Sequence, residues 1–198
     1  EDPRTCFLTS GNSYFGDLSD VFTAPMQAEY QPDHRYSGGL DWGQDVDYLA
    51  TTIIDRTANV QVDLLHVNKQ AWSELRRRVA EVYKRWNLRS LVAENNSIGS
   101  VNIEALQGLG LTVYPFETTN ESKARIMGDL YDAIHDHGLK LQPHEVMRHE
   151  LNTFVSTQLP SGVWRLAASG SGHDDTVIST ALAWYARNHT GDSPIDFI

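Results

Sequence analysis

Three short acidic clusters hold the residues of this chain best suited to chemistry. Asp41 lies in Gly39-Leu40-Asp41-Trp42-Gly43, and Glu94 in Leu91-Val92-Ala93-Glu94-Asn95. Asp174 and Asp175 lie in Gly172-His173-Asp174-Asp175-Thr176. The first two clusters place a carboxylate within or at the end of an apolar run with strand character. The third places two carboxylates where a long apolar helix begins. Carboxylates gathered at such positions are costly, because burial and like charge both oppose ionisation. A pair of hard divalent cations is the usual remedy, and phosphodiester cleavage is the usual purpose. The chemistry predicted is metal-dependent hydrolysis of DNA.

Each cluster also has a plainer reading. Asp41 beside Gly43 could be a turn aspartate, but it alternates with Leu40 and Trp42 and so shares the sheet face opposite those two large apolar groups. Glu94 could be an exposed charge at a strand end. Asp174 and Asp175 could be helix caps, each effect worth about 1 kcal/mol or less. One aspartate is enough to cap, and two, preceded by Ser169-Gly170-Ser171-Gly172 and a histidine, exceed what capping needs. His173 reads first as a turn histidine bonded to a backbone carbonyl and second as a group that positions DNA or water. Asp45 and Asp47 are expected to cap a turn, and Asn95 and Asn96 to form a turn and cap the next helix. Arg76-Arg77-Arg78 reads as a solvated helix face, with DNA contact as the alternative.

The elements that must position these acids follow from periodicity. Gly39–Gly43, Tyr48–Asp55 and Asn59–Val67 read as three strands joined by short turns at Gln44–Asp47 and Arg56–Ala58. Lys69–Trp86 is predicted helical, with Leu75, Val79, Val82 and Trp86 at spacings of four and three. A strand over Ser90–Glu94, a helix over Ser100–Leu109 and a strand over Leu111–Phe116 follow. Then come a helix over Ser122–His137 and a helical piece near His144–Phe154. A hairpin over Val155–Leu166 turns at Pro160-Ser161-Gly162, and a last helix runs from about Asp174 to Arg187. Three antiparallel strands, a crossover helix and then alternating strands and helices describe an α/β fold, a mixed central sheet with helices on both faces. That order fits the ribonuclease H-like arrangement, in which the first strand is central and its acid lies beside the end of the fourth. A doubly wound nucleotide-binding domain would instead open with parallel units and a glycine-rich phosphate turn.

The chain has 198 residues, 40% hydrophobic and 10% aromatic, enough for one well-buried core. No apolar run approaches a membrane span, so no membrane partner is expected. The lone Cys6 excludes an internal disulfide and a cysteine-based zinc site. Residues 1–36, with Gly11, Gly16, Pro25 and Pro32, read as a connector or the tail of a preceding domain, leaving 37–198 as the functional domain. A chain that opens in such a segment is expected to be a piece of something longer. The net charge of -10 opposes DNA binding by charge alone. Weak, salt-sensitive DNA affinity is therefore expected from Lys123, Arg125, Arg148, Arg165 and His173, which flank the path into the third cluster. The 155–166 hairpin is expected to border the DNA groove.

Taken together, in this order and spacing, the clusters resemble the nuclease domain of the large terminase subunit of tailed bacteriophages. The Gly-Leu-Asp-Trp-Gly strand, the Ala-Glu-Asn-Asn-Ser-Ile-Gly segment and the Gly-His-Asp-Asp-Thr-Val-Ile-Ser helix start carry the likeness. The Glu121-Ser122-Lys123 helix start and the Glu150–Phe154 segment also fit. The resemblance implies a ribonuclease H-like endonuclease that cuts concatemeric viral DNA around genome packaging in the infected bacterial cytoplasm, with two Mg²⁺ or Mn²⁺ ions as cofactors. It implies that Asp41, Glu94 and Asp174 or Asp175 hold the metals, with Asp41 bridging both. It also implies double-stranded DNA, an ATPase motor on the same polypeptide, a portal and a small terminase subunit as partners. No Gly-x-x-x-x-Gly-Lys-Ser/Thr motif is present, so a motor would lie outside this chain. A Holliday-junction resolvase or transposase core on the same fold, and a docking module without catalysis, are the competing readings.

Overall fold

In the structure, a computed structural model, residues 13–43, 48–160, 162, 164–170 and 172–189 are described. The predicted turn at Gln44–Asp47, with Asp45 and Asp47, falls outside them, as does Ser161 of the hairpin turn.

The first strand, β1 (Tyr36–Asp41), pairs antiparallel with β2 (Leu49–Asp55), which pairs antiparallel with β3 (Val60–Val67). Helix α1 (Trp72–Arg85) crosses over to β4 (Leu91–Glu94), which lies parallel to β1 on its other side. Helix α2 (Ser97–Gly108) leads to β5 (Val113–Phe116), parallel to β4. The sheet order is therefore β3-β2-β1-β4-β5, with β1 at the centre, which is the ribonuclease H-like topology. Helices α3 (Asn120–His135) and α4 (Glu145–Thr153) follow. The two-stranded β6 (Phe154–Gln158) and β7 (Trp164–Ala168) come next, then α5 (Asp175–His189).

Strand alternation divides the core in two. Leu40, Trp42, Leu49, Ile53, Leu91 and Ala93 pack with Leu75, Val79, Val82 and Trp86 of α1 and with Ile103 and Leu106 of α2. Ile54 and Val92, on the opposite face, pack with the apolar sides of α3, α4 and α5. Burial of each large side chain stabilises the fold by about 1.5–3 kcal/mol, which is why the helices settle on both faces. Asp41 is one step from Leu40 and so faces α5, as its alternation predicts.

Several boundaries differ from the sequence expectation, each for a local reason. The first strand ends at Asp41 and starts three residues earlier than expected, because Tyr36, Ser37 and Gly38 also pair with β2. A Cβ on Gly39 would lie 2.1 Å from the Ser179 carbonyl oxygen and 2.2 Å from the Ala183 nitrogen. The glycine is there so that α5 can lie directly on β1. The first helix starts at Trp72, not Lys69, whose φ of 53° is incompatible with a helix. The second starts at Ser97, since the Asn96 side chain accepts from the Gly99 amide at 2.7 Å. The third starts at Asn120 behind a Thr119–Ser122 capping box.

Residues 13–35 form no helix or strand, yet Phe15, Leu18, Val21 and Phe22 are buried in the α3–α4–α5 core. The Tyr14 amide donates to the Phe154 carbonyl at 2.7 Å, and the Ala24 amide to the Leu141 carbonyl at 3.0 Å. This segment thereby braces α4 and the start of the hairpin. In the arginine run, Arg77 is exposed and pairs with Glu74 and Glu81, Arg78 pairs with Glu74, and half-buried Arg76 donates to Asn102 Oδ1 of α2 at 2.8 Å.

Candidate functional site

Asp41 and Glu94 are the last residues of two neighbouring parallel strands, one step beyond the Leu40–Ala93 pair. Both therefore point to the same face at the same end of the sheet. Helix α5 is laid over β1 by the Gly39 gap and pinned there. The Ser37 hydroxyl donates to the Ala183 carbonyl at 2.8 Å, and Thr52 Oγ1 lies 2.9 Å from Ser179 Oγ and 3.1 Å from Thr180 Oγ1. The small polar face Thr176, Ser179 and Thr180 is what fits a helix so close to the sheet. Its first turn then brings Asp174 and Asp175 to the two strand-end acids.

The electrostatics register this convergence. Asp41 is 7% exposed, and its carboxyl is held well above the ordinary aspartate value. Burial is the largest cause, followed by the charges of Glu94 and Asp175, a side-chain hydrogen bond with Glu94, and the charge of Asp174. Glu94 is half-buried and accepts from Asn96 Nδ2 at 3.0 Å. Asp175 is buried, whereas Asp174 is half-buried and takes Lys123 Nζ at 3.0 Å. The two neighbouring aspartates are thus in different environments.

Among the basic residues expected to meet DNA, Lys123 reaches the acids through that ion pair, with its ammonium 5.7 Å from the centre of the Phe154 ring. His173 lies beside the acids, its Nδ1 3.7 Å from Asp175 Oδ2 and its ring edge-on to Tyr48. Arg125 is exposed on α3 with its guanidinium over Tyr185, and Arg165 is exposed on β7. Arg148 is not brought to the acids: it lies about 200° round α4 from Glu150, with its guanidinium 4.2 Å from the centre of the Phe22 ring.

No family model matches the chain. Over 187 residues it is 26% identical to the large terminase subunit of Thermus virus P23-45, covering 90% of this chain and 39% of that protein. The solved large terminase nuclease from thermophilic phage G20c superposes with a TM-score of 0.82 at 25% identity, over 88% of this chain and 98% of that one. The nuclease domain of the Thermus phage P74-26 large terminase gives a TM-score of 0.80 at 25% identity, over 94% and 100% of the two chains. In sequence and in fold the chain is similar to large-terminase nuclease domains. It spans 39% of the length of the curated relative it matches. The G20c nuclease is also known with bound magnesium and with bound cobalt.

Two further residues, His66 and Glu150, border the acids beyond those expected from the sequence. His66 lies on the Asp41 face, because Asp41 pairs with Ala50 and Ala50 with His66 in one row across the sheet. Burial holds its imidazole down at about 4, and the charges of His173 and His144 act in the same direction. Glu150, 2% exposed, accepts from the Thr176 amide at 2.8 Å and from Thr176 Oγ1 at 2.5 Å. Burial raises its carboxyl above the ordinary glutamate value. The available signal was a glutamate on the apolar stripe Met147, Glu150 and Leu151, and a histidine in phase with Leu64 on β3. Neither is specific without knowledge of what packs opposite.

Proposed function

We propose that this domain is a divalent-metal-dependent endonuclease that cuts concatemeric viral DNA during genome packaging. The observation that carries the reading is the gathering of Asp41, Glu94, Asp174 and Asp175 from β1, β4 and the start of α5, with Asp41 buried and its carboxyl raised. Lys123 offsets part of that negative charge. A set of hard oxygen donors around a buried carboxylate is what Mg²⁺ or Mn²⁺ favours, and the residues present fit such ions. The likeness to the G20c nuclease, known with bound magnesium, supports the same choice.

In this scheme Asp41, Glu94 and an aspartate of α5 would hold the ions. When bound, two such ions supply an acidified water for attack and charge stabilisation for the leaving 3′ oxygen. The chain's own contribution is positional. The sheet fixes Asp41 beside Glu94, the Gly39 contact fixes the start of α5, and Asn96 orients the Glu94 carboxylate. Lys123 is released from Asp174 to contact phosphate or remains to balance charge. Lys123, Arg125, Arg165 and His173 meet DNA near the acids, Arg148 adds a more distant contact, and the β6–β7 hairpin borders the groove.

Residues 1–36 then link this domain to an ATPase motor on a longer polypeptide. That polypeptide works in the host cytoplasm with a portal and a small terminase subunit, and they supply the DNA affinity that a net charge of -10 denies the isolated domain. Among the described residues no helix is long and apolar enough to cross a membrane. Incubation with supercoiled plasmid is the test. Nicked and linear products are expected with Mg²⁺ or Mn²⁺ and none with excess EDTA, and strong cutting in EDTA would overturn the metal mechanism.

A further inference from the structure

We infer that His66, Glu150 and Asp175 form a further cation site adjoining the four acids, one that selects a later divalent ion such as Co²⁺ or Zn²⁺ over Mg²⁺. The three residues come from β3, α4 and α5, and one ligand atom of each lies within 4.8 Å of the others. A four-coordinate ion with bonds of about 2.0–2.2 Å needs its ligands roughly 3.3 Å apart. The set therefore closes with side-chain movements of about 1.5 Å or less, with no change of backbone.

Each member is already oriented. The His66 ring stacks on Tyr48 at 4.1 Å and 13°, and among the described residues its buried Nε2 has no hydrogen-bond partner. A buried ring nitrogen without a partner carries a desolvation penalty, which an ion would recover. The Glu150 carboxylate is held by the amide and hydroxyl of Thr176, the kind of outer contact that aims a metal ligand. Asp175 is buried alongside. His66 and Glu150 line a pocket of about 710 Å³, together with Tyr48, His149, Thr153 and His173, which gives an entry path and room for water ligands.

Ligand chemistry sets the selectivity. Mg²⁺ takes oxygen donors in near-ideal octahedra, whereas an imidazole nitrogen suits later divalent ions. The row from Asp41 through Ala50 to His66 crosses two strand spacings of about 4.8 Å, so the imidazole stands apart from the Asp41–Glu94 pair. Asp175 is the member common to both sets. An ion held by His66 and Glu150 therefore changes the charge on a carboxylate that the nuclease reading needs, although the site itself does not depend on that reading.

The test is Co²⁺ and Mg²⁺ titration of the full chain without DNA, by calorimetry and, for Co²⁺, by visible absorption. The chains compared are the wild type, His66→Ala, His66→Gln and Asp41→Asn. Wild type is expected to bind Co²⁺ with a nitrogen-ligand spectrum, and His66→Ala to lose at least tenfold in Co²⁺ affinity together with that spectrum. Should His66→Ala melt early through loss of the Tyr48 stack, His66→Gln decides the matter by the same readout. Asp41→Asn is expected to weaken Mg²⁺ binding while the nitrogen-ligand Co²⁺ spectrum persists. Unchanged Co²⁺ binding in a folded His66 variant overturns the site, whereas unchanged Mg²⁺ binding in Asp41→Asn counts against the nuclease centre alone.

Discussion

A methyl group added at Gly39 tests how the site is assembled without touching any acid. The new Cβ would stand 2.1 Å from the Ser179 carbonyl oxygen, 2.2 Å from the Ala183 nitrogen and 2.7 Å from the Leu182 carbonyl carbon, where ordinary contact begins at about 3.4 Å. All three obstacles are backbone atoms of α5, so no rotamer change relieves them and the helix must retreat by about 1.3 Å. Such overpacking costs about 1–3 kcal/mol. In a domain of this size that lowers the melting temperature by roughly 2–12 °C at about 2–4 °C per kcal/mol. The same retreat carries Asp174 and Asp175 away from Asp41, and a misplacement near 1 Å can cost roughly 100-fold in rate. Gly38→Ala is the contrast, because its Cβ would meet the Cδ1 atoms of Leu91 and Leu88, flexible ends on the other face of the sheet. The assay is metal-dependent loss of supercoiled plasmid alongside thermal melting of both variants. The expected result is a fold that survives in both and cutting that collapses only in Gly39→Ala. If Gly39→Ala cuts within about threefold of wild type, or Gly38→Ala loses as much, the close approach of α5 is not what sets the site.

Asp41→Asn should raise the melting temperature in EDTA at neutral pH. The folded-state value of Asp41 lies above its ordinary 3.8, so the ionised group opposes folding as pH rises through that raised value and costs nothing below 3.8, where both states are protonated. The gain should disappear in acid, and Mg²⁺ should stabilise the wild type more than the variant; a melting difference independent of pH refutes this. Asp175→Asn should lower cutting more than Asp174→Asn, by over about 100-fold against about 10- to 100-fold, because Asp175 is buried among the acids and Asp174 faces Lys123. Equal losses in matched rate assays would contradict the distinction. Thr176→Val keeps the shape but strips a hydroxyl donor from buried Glu150, costing about 1–3 kcal/mol at neutral pH by denaturant titration; a neutral result would mean that the amide bond alone suffices. Duplex binding should be weak and steeply salt-dependent, and Arg165→Ala should reduce the log–log salt slope by about 1; tight, salt-insensitive binding would show that charge does not govern how the domain meets DNA.

Much of the architecture could be read from local pattern. The apolar, β-rich content of Leu49–Asp55 and Val60–Val67 marks them as strands and the 3.6-residue spacing of Leu75, Val79 and Val82 reports the apolar face of α1, and burial produced the strands and helices in the expected order. The reason for Gly39 was hidden, because it makes room for α5, a partner about 140 residues away in sequence. The packing of Phe15, Leu18, Val21 and Phe22 was equally hidden, since scattered apolar residues in a turn-rich stretch carry no period.

The site divides along the same line. The sequence by itself determined which acids are present, that Asp41 opposes Leu40 and Trp42, and that Glu94 ends a buried run, because these follow from residue type and a two-residue repeat. Only the tertiary structure decided that Asp175 is buried while Asp174 meets Lys123, that Arg148 turns to Phe22, and that His66 and Glu150 stand together beside Asp175. Those outcomes depend on cross-strand register and on how near α5 approaches β1. Contacts such as Ser37 with Ala183, separated by 146 residues, set both, and periodicity within a single element carries no information about either.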